Sequence, residues 1–283
     1  MRYAFFEGCK IPFFLKAYGR SSLALLNKFD VEIINIEFNC CGYPIRDIDF
    51  PSFVLSGARN LALAEQKDTA IITPCKCCYG SLKFVENYLR HDKKNWDHVN
   101  GMLREEGLQW DGRIEIKHLL TVFHDDIGLD ALRSSVANPF RGLKVAAHMG
   151  CHALRPSHVT RFDNPLIPVV LDNLVAVTGA ESIHWPMSTE CCGNPQWDKN
   201  RNLALKQMQR KLANARQAGA DCVCTACTYC QMQFEHKQTY EASAGNDQNP
   251  IPSILISQLI GLSVGLSEDE IGIGDAHLRK LMV

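Results

Sequence analysis

The sequence has neither a strong excess of charge of one sign nor a long uninterrupted apolar run. Its 30 basic and 31 acidic residues leave a formal net charge of −1. No general excess of positive charge therefore favours binding to a nucleic-acid backbone or to an anionic membrane. The composition also argues against disorder, because 46% of the 283 residues are hydrophobic, which is enough to bury a full core.

No segment is long and apolar enough to predict a transmembrane helix. The longest apolar stretch, residues 254–266, is interrupted by Ser257, Gln258 and Ser263, whereas a membrane span needs roughly 18 to 20 apolar residues. The first residues lack the apolar stretch and the small-residue cleavage site of a secretory signal. The sequence therefore predicts a cytoplasmic protein.

What the sequence does contain is thirteen cysteines. Without an export signal, clustered cysteines indicate metal binding rather than disulfides, because cytosolic thiols are normally kept reduced. Cysteines scattered through a core would not group as these do. They stand at positions 9, 40, 41, 75, 77, 78, 151, 191, 192, 222, 224, 227 and 230.

The cysteine groups of the first half recur in the second half. A Cys-Cys-Gly-x-Pro element occurs at 40–44 and again at 191–195. Matched cysteines of the three groups lie 142, 151 and 152 residues apart, which indicates a duplication with one linker of changed length. The matched pairs are Cys9 with Cys151, Cys40 with Cys191, Cys41 with Cys192, Cys75 with Cys227, and Cys78 with Cys230.

The alignment of the two halves separates candidate ligands from other cysteines. Cys222 and Cys224 fall opposite two apolar positions of a predicted strand, where a reduced cysteine acts as a small hydrophobic residue. Cys77 falls opposite Tyr229 and has no cysteine partner in the other half. We therefore interpret Cys77 as a neighbour of the site and not as a ligand.

Apolar runs of strand length alternate with helical stretches in both halves, and each run is followed within a few residues by a cysteine group. This alternation predicts parallel sheets covered by helices. The predicted strands are 3–8, 31–38 and 69–73 in the first half and 143–149, 181–186 and 221–226 in the second. The predicted helices are 21–29, 52–67, 79–90, 165–178, 198–218 and 228–238.

The predicted fold class is α/β, with two pseudo-symmetric repeats, each a parallel sheet flanked by helices with its cysteines at the carboxyl ends of the strands. The first domain is predicted over 1–138, including a connector from His91 with one strand at 113–119, and the second over 139–283, including an apolar C-terminal helix at 251–265. Ligands of open parallel sheets gather beyond the carboxyl ends of the strands. Cysteine groups far apart in sequence can therefore converge on one point.

Two kinds of metal site fit the cysteine pattern. Zinc takes four ligands in a closed tetrahedral site, which one set could supply with one thiol to spare. Iron and sulfide clusters also use thiolates, and they add redox chemistry. The adjacent cysteine pair favours iron and sulfide, because two neighbouring side chains reach two different irons more readily than one small zinc ion.

Each half resembles the cysteine-rich CCG domain, in which a lone cysteine, a Cys-Cys-Gly element and a Cys-x-x-Cys pair follow one another. Two tandem copies that cover nearly the whole chain resemble the B subunit family of heterodisulfide reductase. The resemblance implies that each five-cysteine set holds one non-cubane 4Fe-4S cluster. The implied ligands are Cys9, Cys40, Cys41, Cys75 and Cys78 for one cluster, and Cys151, Cys191, Cys192, Cys227 and Cys230 for the other.

The resemblance also implies an activity and partners. The two clusters would flank a disulfide substrate in a cavity between the halves and split it reductively, each trapping one sulfur. Residues 272–277 imitate only part of a glycine-rich nucleotide loop, so no flavin or nucleotide site is predicted in this chain. The family suggests a ferredoxin-like C subunit and a flavin-bearing A subunit as electron donors.

The product thiolates need protons, and a histidine that titrates near neutrality is a suitable donor. His148, His152 and His184 lie near the predicted loops of the second set, and we select His152 as the candidate catalytic residue. Two further functions stay open. One is an electron-transfer or sulfur-carrier-handling subunit of a bacterial sulfur-oxidation or respiratory complex, and the other is a scaffold stapled by zinc.

Overall fold

The computed structural model describes residues 1–243 and 250–273, so part of the segment 272–277 and the end of the predicted second domain lie outside the described residues. Within these residues the chain forms two four-stranded parallel sheets, one in each half. The strands are β1 (Arg2–Phe5), β2 (Glu32–Ile34), β3 (Ala70–Thr73), β4 (Ile116–His118), β5 (Lys144–Ala147), β6 (Glu181–Ser182), β7 (Cys222–Thr225) and β8 (Ser253–Leu255).

The two sheets have the same topology. Their strand orders are β2-β1-β3-β4 and β6-β5-β7-β8, and all pairings are parallel. The predicted two-repeat α/β fold is therefore confirmed. The second strand of each sheet is shorter than predicted, because the chain leaves the sheet early to pack its aromatic side chains. Phe38 packs against Phe6 with the ring centroids 5.0 Å apart, and the Trp185 indole donates a hydrogen bond to the Ala147 carbonyl.

Helices follow the strands in both halves. Those of the first half are α1 (Ile11–Phe14), α2 (Lys16–Lys28), α3 (Phe50–Gln66), α4 (Lys76–Arg90), α5 (Lys93–Glu105), α6 (Leu119–Thr121) and α7 (Leu129–Ser134), with a π-helical segment over Val122–Gly128. Those of the second half are α8 (Ser157–Thr160), α9 (Val170–Val177), α10 (Arg201–Gln217), α11 (Thr228–Gln231), α12 (Gln238–Ser243), α13 (Ile256–Ser263) and α14 (Glu268–Ile271), with a π-helical segment over Met232–Lys237.

The repeat extends to details of local structure. Asp49 caps the N-terminus of α3 by accepting a hydrogen bond from the Ser52 backbone. Asn200, at the matched position before α10, accepts one from the Leu203 backbone. Such caps satisfy backbone donors that the first helical turn leaves unpaired. Among the described residues, none of the helices is both long enough and apolar enough to cross a bilayer.

The fourth strand of each sheet also belongs to the repeat. The strand predicted in the connector is β4, which pairs with β3. The apolar helix predicted over 251–265 was wrong in its first part, because residues Ser253–Leu255 form β8 beside β7 before α13 begins. A short apolar run that leads directly into an apolar helix gives no period by which the strand can be recognised.

The two halves share their hydrophobic cores. Helix α2 of the first half packs against α13 and α14 of the second, and α6 and α7 pack against α9. One core cluster joins Leu25 to Leu259, and the other joins Phe53 to Met208. The boundary at 138 and 139 separates the two sheets but not two cores, and as a domain boundary it stays a prediction.

Candidate metal centre

All three cysteine groups of each half lie beyond the carboxyl ends of their strands. Cys75 follows β3 by two residues and begins α4, and Cys227 follows β7 by two residues and begins α11. The loops after the first and second strands of each sheet bring the other cysteines to the same edge. The topology thus gathers groups that are more than 60 residues apart in sequence.

The five thiols of the first set form an unbroken chain of contacts. Each thiol lies close enough to the next to interact with it, so none of the five lies apart from the others. In spatial order the chain runs through Cys9, Cys40, Cys41, Cys78 and Cys75.

The second set repeats this arrangement with the matched residues in the same order. Its chain runs through Cys151, Cys191, Cys192, Cys230 and Cys227. The two halves therefore build equivalent sites, as the sequence offsets predict.

The two sets meet at the interface between the halves. Cys75 and Cys227 form a hydrogen bond with each other, and the sulfurs of Cys75, Cys77 and Cys227 all lie within 4.8 Å of one another. The last members of the two chains of thiols are therefore in contact, and the ten matched cysteines, together with Cys77, form one continuous array across the interface.

Both sets favour a negatively charged sulfur at the same position. Contacts with Cys41 and Cys9 lower the pKa of the Cys40 thiol and raise the pKa of those two partners. The matched Cys191 thiol has its pKa lowered in the same way, at the expense of Cys151 and Cys192. Thiolates are the form in which cysteine binds metals. The arrangement is thus suited to metal binding, and five thiols in each set exceed the four ligands of a closed zinc site.

Glycines shape the loops that carry the cysteines. Gly42 and Gly193 adopt φ angles of 82° and 91°, which side chains disfavour, and each begins a 3-10 turn. At Gly8 a β-carbon would lie 2.7 Å from the Cys78 sulfur. The first set therefore needs a residue without a side chain at this point, where the backbone passes directly beside a candidate ligand.

His152 lies between the two cysteine sets. Its Nδ1 atom is 3.5 Å from the Cys77 sulfur and 3.5 Å from the Cys151 sulfur. The ring packs edge-on against Tyr43 of the first half, with the centroids 4.9 Å apart, and burial lowers its pKa. The Tyr43 ring also contacts Tyr229, at 5.7 Å. One histidine and two tyrosines therefore line the region where the halves meet.

The structure distinguishes the other two histidines. His148 is buried, and its Nε2 atom lies 3.1 Å from the Cys230 sulfur. Its Nδ1 atom is buried without a hydrogen-bond partner among the described residues. His184 is exposed and lines a separate cavity with Asp172. The structure thus brings His148 and His152 to the thiols but not His184.

Of the remaining cysteines, Cys222 and Cys224 lie where the sequence predicted. Cys222 and Cys224 are fully buried in β7 within a hydrophobic core cluster. Cys77 is buried beside both sets and contacts His152. Its sulfur also lies within 4.8 Å of the sulfurs of Cys75 and Cys227, so its role as a neighbour and not a ligand stays a prediction.

Two lysines at the site were missed by the sequence analysis. Lys76 is buried and donates a hydrogen bond of 2.6 Å to the Met149 carbonyl in the other half. Lys211 in α10 is buried and donates to the carbonyls of Met187 and Glu190. The position of Lys76 between Cys75 and Cys78 of the Cys-x-x-Cys pair is a sequence signal that places it near the thiols. Nothing in the pattern of α10 marks Lys211, because the helix is rich in charged residues.

Comparison with known proteins agrees with the repeat. The model of a family described as the cysteine-rich domain CCG matches residues 3–83 and 145–235. Over 281 residues the chain is 31% identical to the B subunit of the ferredoxin/F(420)H(2)-dependent CoB-CoM heterodisulfide reductase of Methanosarcina acetivorans, an alignment that covers 98% of this chain and 93% of that protein. The 8-methylmenaquinol:fumarate reductase membrane anchor subunit of Wolinella succinogenes is 29% identical over 273 residues, covering 96% of this chain and 95% of that protein.

A solved structure supports the fold. The crystal structure of a hypothetical protein from Helicobacter pylori superposes with a TM-score of 0.75 at 18% sequence identity and covers 96% of this chain. The chain spans only half the length of that protein. At this identity the likeness shows the arrangement of strands and helices and nothing about chemistry.

Proposed function

Because the chain belongs to the family of proteins built from the cysteine-rich CCG domain, we propose that it is the catalytic subunit of a heterodisulfide-reductase-like complex that reduces a disulfide through two non-cubane 4Fe-4S clusters. The observation that carries the proposal is the contact between Cys75 and Cys227, the last members of two equivalent five-thiol sets. Two metal sites that meet at one interface can both act on one small substrate. Sites on opposite surfaces could only relay electrons.

The two sets supply the ligands in this proposal. Cys9, Cys40, Cys41, Cys75 and Cys78 hold one cluster, and their matched partners Cys151, Cys191, Cys192, Cys227 and Cys230 hold the other. When bound, the two clusters would supply redox chemistry, one electron from each, which together make up the two electrons that cleave a disulfide into two thiols. The thiols of Cys75 and Cys227 are buried at the interface, so chemistry there would be shielded from water.

His152 is the proposed proton donor. Its Nδ1 atom faces the sulfurs of Cys77 and Cys151, so a proton held on that atom would be released at the place where the two halves meet. The edge of Tyr43 fixes the orientation of the ring. We expect His152→Ala to retain its iron and to lose roughly 100-fold or more of the rate of thiol formation, because a positioned proton donor typically contributes a factor of that size. An unchanged rate would exclude this role.

The proposed partners follow from the family. Relatives of this chain from Methanosarcina are named as subunits of heterodisulfide reductases, and we propose a ferredoxin-like C subunit and a flavin-bearing A subunit as partners of this chain within the cytoplasm. Co-purification with a tagged copy of the chain, followed by flavin and iron analysis of the complex, tests this. Full disulfide reductase activity of the isolated chain with a nicotinamide donor would argue against partner subunits.

Metal content is the primary test. Protein purified without oxygen should contain about eight irons and a matching amount of sulfide. Cys41→Ser and Cys192→Ser should each lose about half of that iron, because each half has its own ligand set. Zinc in place of iron would refute the proposal and favour a zinc-stapled scaffold. The reductase activity itself is measured as thiol release from a panel of small disulfides, with reduced viologen as electron donor.

A second candidate function is supported by the Wolinella relative, which is named as a subunit of a menaquinol:fumarate reductase. The chain would then be an electron-transfer or sulfur-carrier-handling subunit of a respiratory or sulfur-oxidation complex. Iron content would be the same in both cases. The two functions are distinguished by thiol release, since an electron-transfer subunit would be reduced and reoxidised without consuming any disulfide of the panel.

A further inference from the structure

The two cysteine sets match in position, but the side chains around them do not match in charge. Three buried nitrogen-bearing side chains surround the second set, namely Lys76, His148 and Lys211. The positions that correspond to them across the repeat hold Thr228, Phe6 and Asn60, at the same offsets of 152, 142 and 151 residues that relate the neighbouring cysteines. None of those three can carry a positive charge.

Lys76 belongs to the first half but acts on the second set. It follows Cys75 at the start of α4, and its ammonium group crosses the interface to the Met149 carbonyl, 2.6 Å away. Burial lowers the pKa of this ammonium group, while the nearby sulfurs of Cys230, Cys227 and Cys151 favour its charged form. The matched Thr228 instead places a neutral hydroxyl 3.0 Å from the Cys75 sulfur of the first set.

Lys211 and Asn60 occupy matched positions and donate hydrogen bonds to equivalent loops, but the two side chains differ in charge. Lys211 lies over the Trp185 ring, with its ammonium 4.8 Å from the centroid, and donates a hydrogen bond of 2.9 Å to the Glu190 carbonyl. Burial lowers the pKa of this ammonium group, while the nearby Cys230 and Cys192 sulfurs favour its charged form. Asn60 donates to the Cys40 carbonyl at 3.2 Å. The loop of the first set is thus held by a neutral amide.

Other charged groups near the sets are partly exposed or paired. Arg59, which donates to Asn39 beside Cys40, forms an ion pair with Glu106. Lys10 lies near Cys9 and Cys40, but it is half-buried and open to solvent screening. Glu190 beside the second set is exposed, so its charge is also screened. His148 adds a buried contact to the second set through Nε2, 3.1 Å from the Cys230 sulfur. A ligand thiolate has no proton, so the ring would donate the hydrogen bond.

We infer that Lys76, Lys211 and His148 make the cluster of the second set the one with the higher reduction potential, so that it accepts an electron before the cluster of the first set. The inference rests on the proposed function, because it assumes that both sets hold iron and sulfide. Net charge and hydrogen bonds to the sulfurs are among the factors that set the potential of such clusters. An added electron makes the cluster more negative. The buried lysine ammonium groups stabilise that form with little screening, and the His148 ring stabilises it through its contact with the Cys230 sulfur.

The test measures the potential of each set separately in the full chain. Cys41→Ser retains the second set, and Cys192→Ser retains the first. Titration of both proteins without oxygen, followed by electron paramagnetic resonance, should give the higher potential for Cys41→Ser. Adding Lys211→Gln to Cys41→Ser should lower the reduced-to-oxidised ratio at a fixed applied potential by about tenfold, which is about 59 mV for one electron. Lys211→Arg, which keeps the charge, should restore the ratio.

The matched control is Lys211→Gln added to Cys192→Ser, where the potential of the first set should change little. Lys76→Gln provides a second variant should Lys211→Gln fail to fold, with the same expected direction. Equal potentials in the two single-set proteins, or the same shift in both on loss of Lys211, would overturn the inference while leaving the proposed function intact. Wild-type protein without iron would overturn both.

Discussion

Helix α4 crosses the interface at Gly80, and this contact offers a sharp test of the packing that positions His152. A β-carbon at Gly80 would lie 2.7 Å from the His152 carbonyl oxygen and 3.4 Å from its carbonyl carbon. These are backbone atoms of the loop that carries Cys151, so no side-chain rotation can relieve the clash. Alanine in a helix interior is favoured over glycine by about 1 kcal/mol, whereas overpacking costs about 1–3 kcal/mol. We expect Gly80→Ala to lose about 1 kcal/mol of stability.

The control is Gly101→Ala in α5, where the nearest atom to a new β-carbon is the Arg104 Nη2 at 3.9 Å. This variant should gain about 1 kcal/mol from helix propensity alone. Thermal melts followed by circular dichroism without oxygen should show a midpoint roughly 2–4 °C lower for Gly80→Ala and roughly 2–4 °C higher for Gly101→Ala. Equal increases in both variants would refute the close contact between α4 and the His152 loop.

Three further predictions address other parts of the site and the interface. Cys222→Ala should keep its full iron content, because Cys222 is buried in β7 away from the thiol array; a loss of iron comparable to that of a ligand variant would contradict this. Gly193→Ala and Gly219→Ala should each lower the free energy of unfolding by about 1–2 kcal/mol, because both positions have a left-handed backbone. Only Gly193→Ala should also lose iron, because its β-carbon would meet the Ala204 carbonyl at 2.7 Å, whereas a β-carbon at Gly219 has free space. Iron assays of the two variants test this difference. Tyr79→Phe removes a buried hydrogen bond of 2.6 Å to the Thr160 carbonyl across the interface. Its loss should lower the melting midpoint by roughly 2–4 °C. A midpoint equal to that of wild type would show that the bond does not contribute to stability.

The cysteine array was the part of the site most accessible to sequence reasoning. Equal offsets between cysteine groups reveal the duplication, and a parallel sheet brings the ends of its strands to one edge. These two facts place Cys9 near Cys40 and Cys151 near Cys191 without any knowledge of distances. The contact between Cys75 and Cys227 needed the structure, because it depends on how the two sheets face each other.

The charged surroundings of the array were not predictable from the sequence. Lys211 occupies one position in a helix that contains several other basic residues, and only the packing of α10 shows that this lysine alone is buried near the thiols. Lys76 follows a cysteine of the first set in sequence, yet its ammonium group donates to the Met149 carbonyl beside the second set. Sequence offsets describe which residues correspond, whereas the direction of a long side chain across an interface is decided by tertiary packing.

The packing of α2 from the first half against α13 from the second has a consequence for synthesis of the chain. Helix α2 ends at Lys28, but α13, which covers it, begins only at Ile256. At a translation rate of about 5–20 residues per second, roughly 10–50 s pass between the two. During this interval Leu25 and Leu26, fully buried in the finished protein, have no α13 to cover them. We expect the nascent first half to depend on chaperones until the last helices have been made.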